Sequence, residues 1–221
     1  MTTLSLRPPP RAAVLVLARW WADGPVKTRL AVEIGENAAR AAYRALAEQV
    51  WLGLAHPGLE RHLWITPPQR LPDSRNWLHG AERVEAQPEG KLGDRLAAAF
   101  AAAFAGGAPW AAAVGTDAPD VDAARVLRAG AALQDADVAL VPALDGGYAL
   151  IALARARPRL FDGIPWSTPE VLRATRARAA ELGLRVALLE PVADVDNFDD
   201  LKQAAARFPS VWPSTPPAPR T

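Results

Sequence analysis

Short, unbroken apolar runs recur along this chain at intervals that leave room for one helix between them, and that spacing restricts the fold more than any other feature. Residues 12–17 (AAVLVL) are too few for a helix and lack the alternation of a half-wetted strand. Such a run fits a strand buried on both faces. Residues 62–66 (HLWIT), stopped by Pro67 and Pro68, and residues 110–114 repeat the pattern, and 185–189 gives a late strand. Helical spacing fills the gaps at 36–51, at 92–105 before Gly106 and Gly107, and at 122–133 with Asp122 as a good N-cap. It returns at 169–182, with Pro169 in the first turn and Gly183 beyond, and at 198–208. Residues 69–87 hold Trp77 and room for one more short strand. Alternation of this kind implies parallel strands with right-handed crossovers. The adjacent strands 138–141 and 148–153, joined by a glycine-containing turn, break it. The expected fold is therefore α/β: a three-layer α/β/α sandwich with a mostly parallel, mixed sheet.

Composition narrows the function classes. A formal net charge of +1 over 221 residues argues against a broad nucleic-acid surface, which needs clustered excess Lys and Arg. The absence of cysteine excludes disulfides, zinc ribbons and thiol catalysis. No apolar stretch is long enough to span a membrane, and the start lacks the basic-then-apolar order of a secretory signal, so a cytoplasmic location is expected. Residues 1–11, with Pro8, Pro9 and Pro10, read as a disordered lead-in, 12–208 as one domain, and 209–221 as a Pro-rich tail.

In open α/β sheets, ligands bind beyond the carboxyl ends of the strands, and every motif that carries chemistry here falls at such an end. After the first strand comes Asp23-Gly24-Pro25-Val26-Lys27-Thr28-Arg29-Leu30, with Arg19 beside it. Gly24 lets backbone N–H groups approach phosphate, and Arg19, Lys27 and Arg29 add charged donors. The glycine spacing is not that of a Walker loop, and a basic surface turn is the plainer reading. Gln87-Pro88-Glu89-Gly90-Lys91-Leu92-Gly93-Asp94-Arg95 precedes a helix and is either a second phosphate or base contact or an ordinary loop with Asp94 near the helix start.

Gly115-Thr116-Asp117-Ala118-Pro119-Asp120 follows an apolar run, so Asp117 points into the crevice as a ligand for a hard cation, while Asp120 suits either that role or a cap. Asp145-Gly146-Gly147-Tyr148 is a routine hairpin turn, or a close backbone approach to sugar with Asp145 in the cleft. Trp166 in Ile164-Pro165-Trp166-Ser167-Thr168-Pro169 could stack on a sugar or fill core, with Ser167 or Thr168 capping the next helix. Asp194 and Asp196 alternate on an extended segment and so share a face. They complete a metal site opened by Asp117 or belong, like Asp199 and Asp200, to the cap of the last helix. His56, His62 and His79 have no ligand spacing, and there is no Gly-x-Ser-x-Gly elbow.

Taken together these segments resemble a family of small bacterial glycosyltransferase-like proteins, grouped with arsenosugar-biosynthesis glycosyltransferases in the nucleotide-diphospho-sugar transferase superfamily of GT-A fold. The family's Lys-x-Pro-x-x-Gly-x-Val-Lys-Thr-Arg-Leu opening is matched by residues 19–30, and Gln-x-x-Gly-x-Leu-Gly-x-Arg by 87–95. Gly-[Ser/Thr]-Asp-x-Pro is matched by 115–119, Pro-Ala-x-Asp-Gly-Gly-Tyr by 142–148, Trp-Ser-Thr by 166–168, and Asp-Val-Asp by 194–196. Arg19 replaces the opening Lys, Trp21 the usual Pro, and Asn197 a common Thr.

The resemblance implies a metal-dependent enzyme that moves a sugar from a nucleotide-sugar to a small-molecule acceptor. Mg2+ or Mn2+ would be held by Asp117, Asp194 and Asp196, with Asp145 and Asp117 as catalytic carboxylates. Arg19, Gly24, Lys27, Thr28, Arg29, Gln87, Gly90 and Arg95 would bind nucleotide and phosphate, and Gly146, Gly147, Tyr148 and Trp166 the sugar or acceptor. A nucleotidylyltransferase using a nucleoside triphosphate is the alternative, and a non-catalytic binding module a third. The oligomeric state stays open, a homodimer included.

Overall fold

The computed structural model describes residues 10–209; most of the expected lead-in and tail therefore lies outside the described residues. Arg11 is already anchored, its guanidinium 3.2 Å from Glu60 and 3.1 Å from Glu82.

The elements in chain order are β1 (Ala12–Arg19), α1 (Thr28–Ile34), α2 (Glu36–Gly53), β2 (Leu59–Thr66), α3 (Leu71–Trp77), β3 (Arg83–Ala86) and α4 (Leu92–Ala105). Then follow β4 (Ala111–Val114), α5 (Ala123–Ala132), β5 (Val138–Pro142), β6 (Tyr148–Leu153), α6 (Val171–Glu181), β7 (Val186–Leu188) and α7 (Phe198–Arg207). The strands form one sheet in the order β3-β2-β1-β4-β6-β5-β7. All neighbours are parallel except β6, which runs antiparallel to both β4 and β5. The hairpin read from the sequence is thus real, and its second strand is inserted between β4 and β5.

Strand periodicity sorts the core. In β1, Val14, Val16 and Ala18 face one side, where Tyr43, Ala47, Val50 and Trp51 of α2, Trp77 of α3 and Val126 and Ala129 of α5 cover them. Ala13 and Leu15 face the other, under Leu96, Ala99 and Phe100 of α4 and Ala179 of α6. Both sides of the central strands are buried, which is why their sequences are continuous apolar runs rather than alternating ones. Each fully buried Leu or Ile here contributes about 1.5–3 kcal/mol of transfer free energy. A third cluster joins α1 and α2 to α7 through Leu30, Leu46, Val195 and Leu201.

The structure adds elements the sequence pattern does not announce. Helices α1 and α3 have seven residues each, too short for a periodic signature, whereas the short strand for which 69–87 left room is β3, a four-residue edge strand. Helix α6 begins at Val171 rather than at Pro169, because Thr168 turns the chain first: its hydroxyl donates to the Pro165 carbonyl (2.7 Å) and accepts from the Glu170 N–H (3.3 Å). Asp122 caps α5 as expected, accepting from the Arg125 N–H at 2.8 Å.

From β1 the chain crosses one way to β2 and β3, and the other way to β4. The carboxyl ends of β1 and β4 therefore flank the topological switch point, where a crevice opens.

Candidate active site

Three segments distant in sequence meet at that crevice. The loop after β1 brings Lys27, the loop after β4 brings Asp117, and the stretch between β7 and α7 brings Asp194 and Asp196. Backbone bonds fix the last two against each other: Val195 N–H donates to the Asp117 carbonyl at 3.0 Å, and Val192 N–H to Pro142 at 2.9 Å. Asn197 caps α7 by accepting from the Asp200 N–H (2.9 Å). Asp200 in return accepts from the N–H groups of Asp196 (3.0 Å) and Asn197 (3.1 Å). This reciprocal cap holds the backbone of Asp196 in place.

Lys27 sits at the N-cap of α1 with left-handed backbone angles, φ 47° and ψ 54°, an uncommon conformation for a side-chain-bearing residue. Its ammonium lies 3.1 Å from Asp117 Oδ2 and 3.2 Å from Asp196 Oδ1, and its side chain is only 5% exposed. Arg29, 77% exposed, reaches the second oxygen of Asp196 at 3.2 Å. Burial alone would depress the Lys27 pKa, but Asp117 and Asp196 outweigh it and raise it, so the ammonium stays charged.

One carboxylate oxygen each from Asp145, Asp194 and Asp196 lie within 4.8 Å of one another. Burial pushes the Asp194 carboxyl above its ordinary range, and the neighbouring charges of Asp145 and Asp196 push it further. These groups repel one another and suit a positive guest. A hard divalent cation wants this donor set, a few carboxylate oxygens with the remaining positions left for substrate and water. The residues present therefore fit Mg2+ or Mn2+. Asp117 lies outside the group and is instead engaged by Lys27, whereas Asp145 lies within it.

A cavity of about 460 Å³ opens beside these groups, lined by Arg29, Asp117, Asp145, Asp194 and Asp196 and walled by Tyr148, Trp166 and Leu92. A smaller apolar recess of about 220 Å³, with Leu17, Leu96 and Ile151, adjoins it past Asp117 and Tyr148. The wall is set by close packing. Gly146 has φ +93°, and a Cβ there would lie 2.2 Å from the Pro169 carbonyl oxygen, so only glycine lets the hairpin meet the 165–170 loop. The Gly146 carbonyl accepts from Leu172 N–H at 2.9 Å. Gly93 does the same for α4, where a Cβ would meet Trp166 at 2.8 Å. The Trp166 ring stands edge-on to Tyr148, centroids 6.4 Å apart. Tyr148 lines the cavity by its ring, because its hydroxyl is buried beside Thr175.

Other residues expected at the site also make bonds within the scaffold. The Arg19 guanidinium folds onto the Pro25 carbonyl (3.1 Å), beside Gly24 with its positive φ of +70°. Gln87 donates to the carbonyls of Ala18 and Trp64, both at 2.9 Å, stitching the ends of β1 and β2, and accepts from Arg95 at 3.0 Å. Arg95 also donates to Gly90 (3.2 Å), and Thr28 begins α1. Gly147 N–H donates to Asp145 Oδ1 at 2.8 Å, the turn bond that presents Asp145.

Tyr43 escapes a reading by motif. Its hydroxyl accepts from the Arg19 N–H at 2.9 Å, and burial, with the Asp117 charge adding to it, pushes its pKa up to about 12. It supports the ends of β1 and β4 at once; a lone tyrosine in an Ala-rich helix was the only signal. The bidentate pair of Arg70 with Asp23, at 2.7 and 2.9 Å, likewise braces the loop after β1 from a segment with no visible motif.

The comparisons with known proteins agree with this architecture. The family described as an uncharacterized protein conserved in bacteria (DUF2064) matches residues 52–168. A candidate nucleotide-diphospho-sugar transferase from Desulfovibrio desulfuricans G20 is 31% identical, with a TM-score of 0.82 over 90% of this chain and 88% of that one. The fold is shared with a nucleotidyl transferase from Methanothermobacter, 17% identical with a TM-score of 0.57, over 91% of this chain and 99% of that one. It is also shared with a 4-diphosphocytidyl-2C-methyl-D-erythritol synthase from Anaerococcus prevotii, 9% identical with a TM-score of 0.58, over 90% and 96%. None of the curated proteins matches this chain. By the family match and by its 31% identity to a structure of the same architecture over nearly its whole length, the chain is a member of the DUF2064 family, built on the nucleotide-diphospho-sugar transferase fold.

Proposed function

We propose that this protein is a metal-dependent transferase that takes a sugar from a nucleotide-diphospho-sugar and passes it to a small-molecule acceptor. One observation carries the reading: two cations from the loop after β1 meet carboxylates from two remote segments at a single cavity. Four carboxylates against two cations leave that cavity net acidic, so a phosphate-bearing substrate needs a further positive charge to enter. A divalent cation held by Asp145, Asp194 and Asp196 supplies that charge to the leaving diphosphate.

The chain's own groups do the rest. Lys27, buried against Asp117 and Asp196, holds these two carboxylates in place behind the cavity, and Arg29, which lines it, offers its guanidinium to the diphosphate. Asp145 stands at the exposed turn, where an acceptor hydroxyl can donate to it. The Trp166 and Tyr148 rings give the apolar wall against which a sugar face packs. The 31%-identical Desulfovibrio structure, named for nucleotide-diphospho-sugar transfer, supports this choice of donor.

Nucleotidylyl transfer is the second reading, because the same pairing of Lys27 and Arg29 beside an acidic group also suits the leaving pyrophosphate of a nucleoside triphosphate. Product analysis separates them. Purified protein with Mn2+ and an acceptor extract is expected to release nucleoside diphosphate from a sugar nucleotide. Release of pyrophosphate from a nucleoside triphosphate, with sugar nucleotides untouched, transfers the assignment to the second reading. Loss of either product in Asp117→Ala, with an unchanged circular dichroism spectrum, would rule out a contaminant.

A further inference from the structure

Asp196 has two jobs that conflict. One of its oxygens belongs to the acidic group with Asp145 and Asp194, yet both are already taken: Oδ1 by Lys27 and Oδ2 by Arg29, each at 3.2 Å. A cation added at the group shares this carboxylate with like charges, and their repulsion favours release of the more weakly held one. The two are not equally free. Lys27 is 5% exposed and has a second partner in Asp117. Arg29 is 77% exposed, and among the described residues Asp196 is the only carboxylate it pairs with. An exposed ion pair of this kind is weak and easily exchanged.

We propose that Asp196 is an exchange point: Arg29 neutralises it in the empty protein, and cation binding releases Arg29 to the substrate's phosphate. This rests on the proposed function, since it assumes that a divalent cation and a phosphate group share the cavity. It adds that the two ligands promote each other's binding, because each removes a competitor from the other's partner. Arg29 lines the cavity, so release leaves it facing the phosphate's space. Lys27 stays on Asp117 throughout. By linkage, the factor by which the cation raises phosphate affinity equals the factor by which phosphate raises cation affinity.

The exchange gives Arg29 opposite effects on two ligands, which a merely structural residue would not have. The test titrates Mn2+ alone, followed by its electron paramagnetic resonance signal, and inorganic pyrophosphate with saturating Mg2+, followed by calorimetry. Arg29→Ala is expected to bind Mn2+ at least about fivefold tighter than the native protein and pyrophosphate about fivefold weaker. Asp196→Asn, which removes the shared carboxylate, is expected to lose Mn2+. Arg29 is exposed on the first turn of α1, so its replacement leaves the core intact, and thermal unfolding verifies this. If Arg29→Ala binds Mn2+ no more tightly than the native protein, the exchange is wrong, while native binding of both ligands would leave the proposed function standing. A native protein that binds neither ligand overturns both.

Discussion

At the residue scale the account turns on Lys27, which combines an unfavourable backbone with a buried charge. A left-handed conformation costs a side-chain-bearing residue about 1 kcal/mol or more relative to glycine. It persists here because Asp117 and Asp196 hold the ammonium from two sides. Stripping the charge leaves Asp117 facing Asp196 with only Arg29 to offset the pair. Fully buried pairs lose about 3–5 kcal/mol when one partner is removed. Asp117 is 46% exposed and Asp196 31%, and water screens part of this, so Lys27→Ala is expected to cost about 2 kcal/mol. Lys27→Gly removes the same charge but suits the backbone, and is expected to be about 1 kcal/mol more stable than Lys27→Ala. Urea unfolding of the two variants checks both statements; equal stabilities would mean that the backbone relaxes when the charge goes. The motif of residues 19–30 pointed to Lys27 and Arg29 as phosphate groups, but not to their carboxylate partners, because a charge's partner 169 positions away leaves no trace in local spacing.

At the element scale, legibility followed length and burial. The runs at 12–17 and 110–114 were plain because the central strands are wet on neither face, and α4 matched its expected bounds because its apolar stripe runs through four turns. Helices α1 and α3 were not legible, since seven residues cannot show a period and Pro72 sits in the first turn of α3. Tertiary contacts with α2 and α7 make α1 helical, not its own propensity. The Asp-Gly-Gly turn was read in two ways, and both have substance: it is a hairpin turn, and Asp145 does face the cavity. Its Gly146 packs against Pro169. Gly146→Ala is expected to cost about 2–4 kcal/mol, from a steric overlap with backbone and a forbidden φ together. It should also speed hydrogen exchange at the Leu172 N–H, whose acceptor is the Gly146 carbonyl at 2.9 Å. Native-state exchange measured by NMR tests this; an unchanged Leu172 rate would show that the two loops are not coupled.

At the scale of the whole molecule, the sheet order explains why the site lies where it does. The chain reverses its direction of travel between β1 and β4, and the inserted antiparallel β6 carries the Asp145 turn to the same end as the carboxyl termini of the parallel strands. Sequence order alone could place every motif at a strand end, and so at one rim. It could not rank distances along that rim, nor show that Gln87, Gly90 and Arg95, read as a second phosphate or base contact or an ordinary loop, also tie β1, β2 and α4 together. For the same reason Asp117 was grouped with Asp194 and Asp196, while in three dimensions Asp145 joins them and Asp117 holds Lys27.

Among the described residues no helix is long and apolar enough to cross a membrane.

Anomalous diffraction from crystals grown with Mn2+ and pyrophosphate tests the central claim most directly. The account expects one strong manganese peak bonded to Asp145, Asp194 and Asp196, with pyrophosphate beside it, Lys27 still on Asp117 and Arg29 turned from Asp196 to phosphate. A peak elsewhere on the molecule, with Arg29 and Lys27 both still on Asp196, would contradict it.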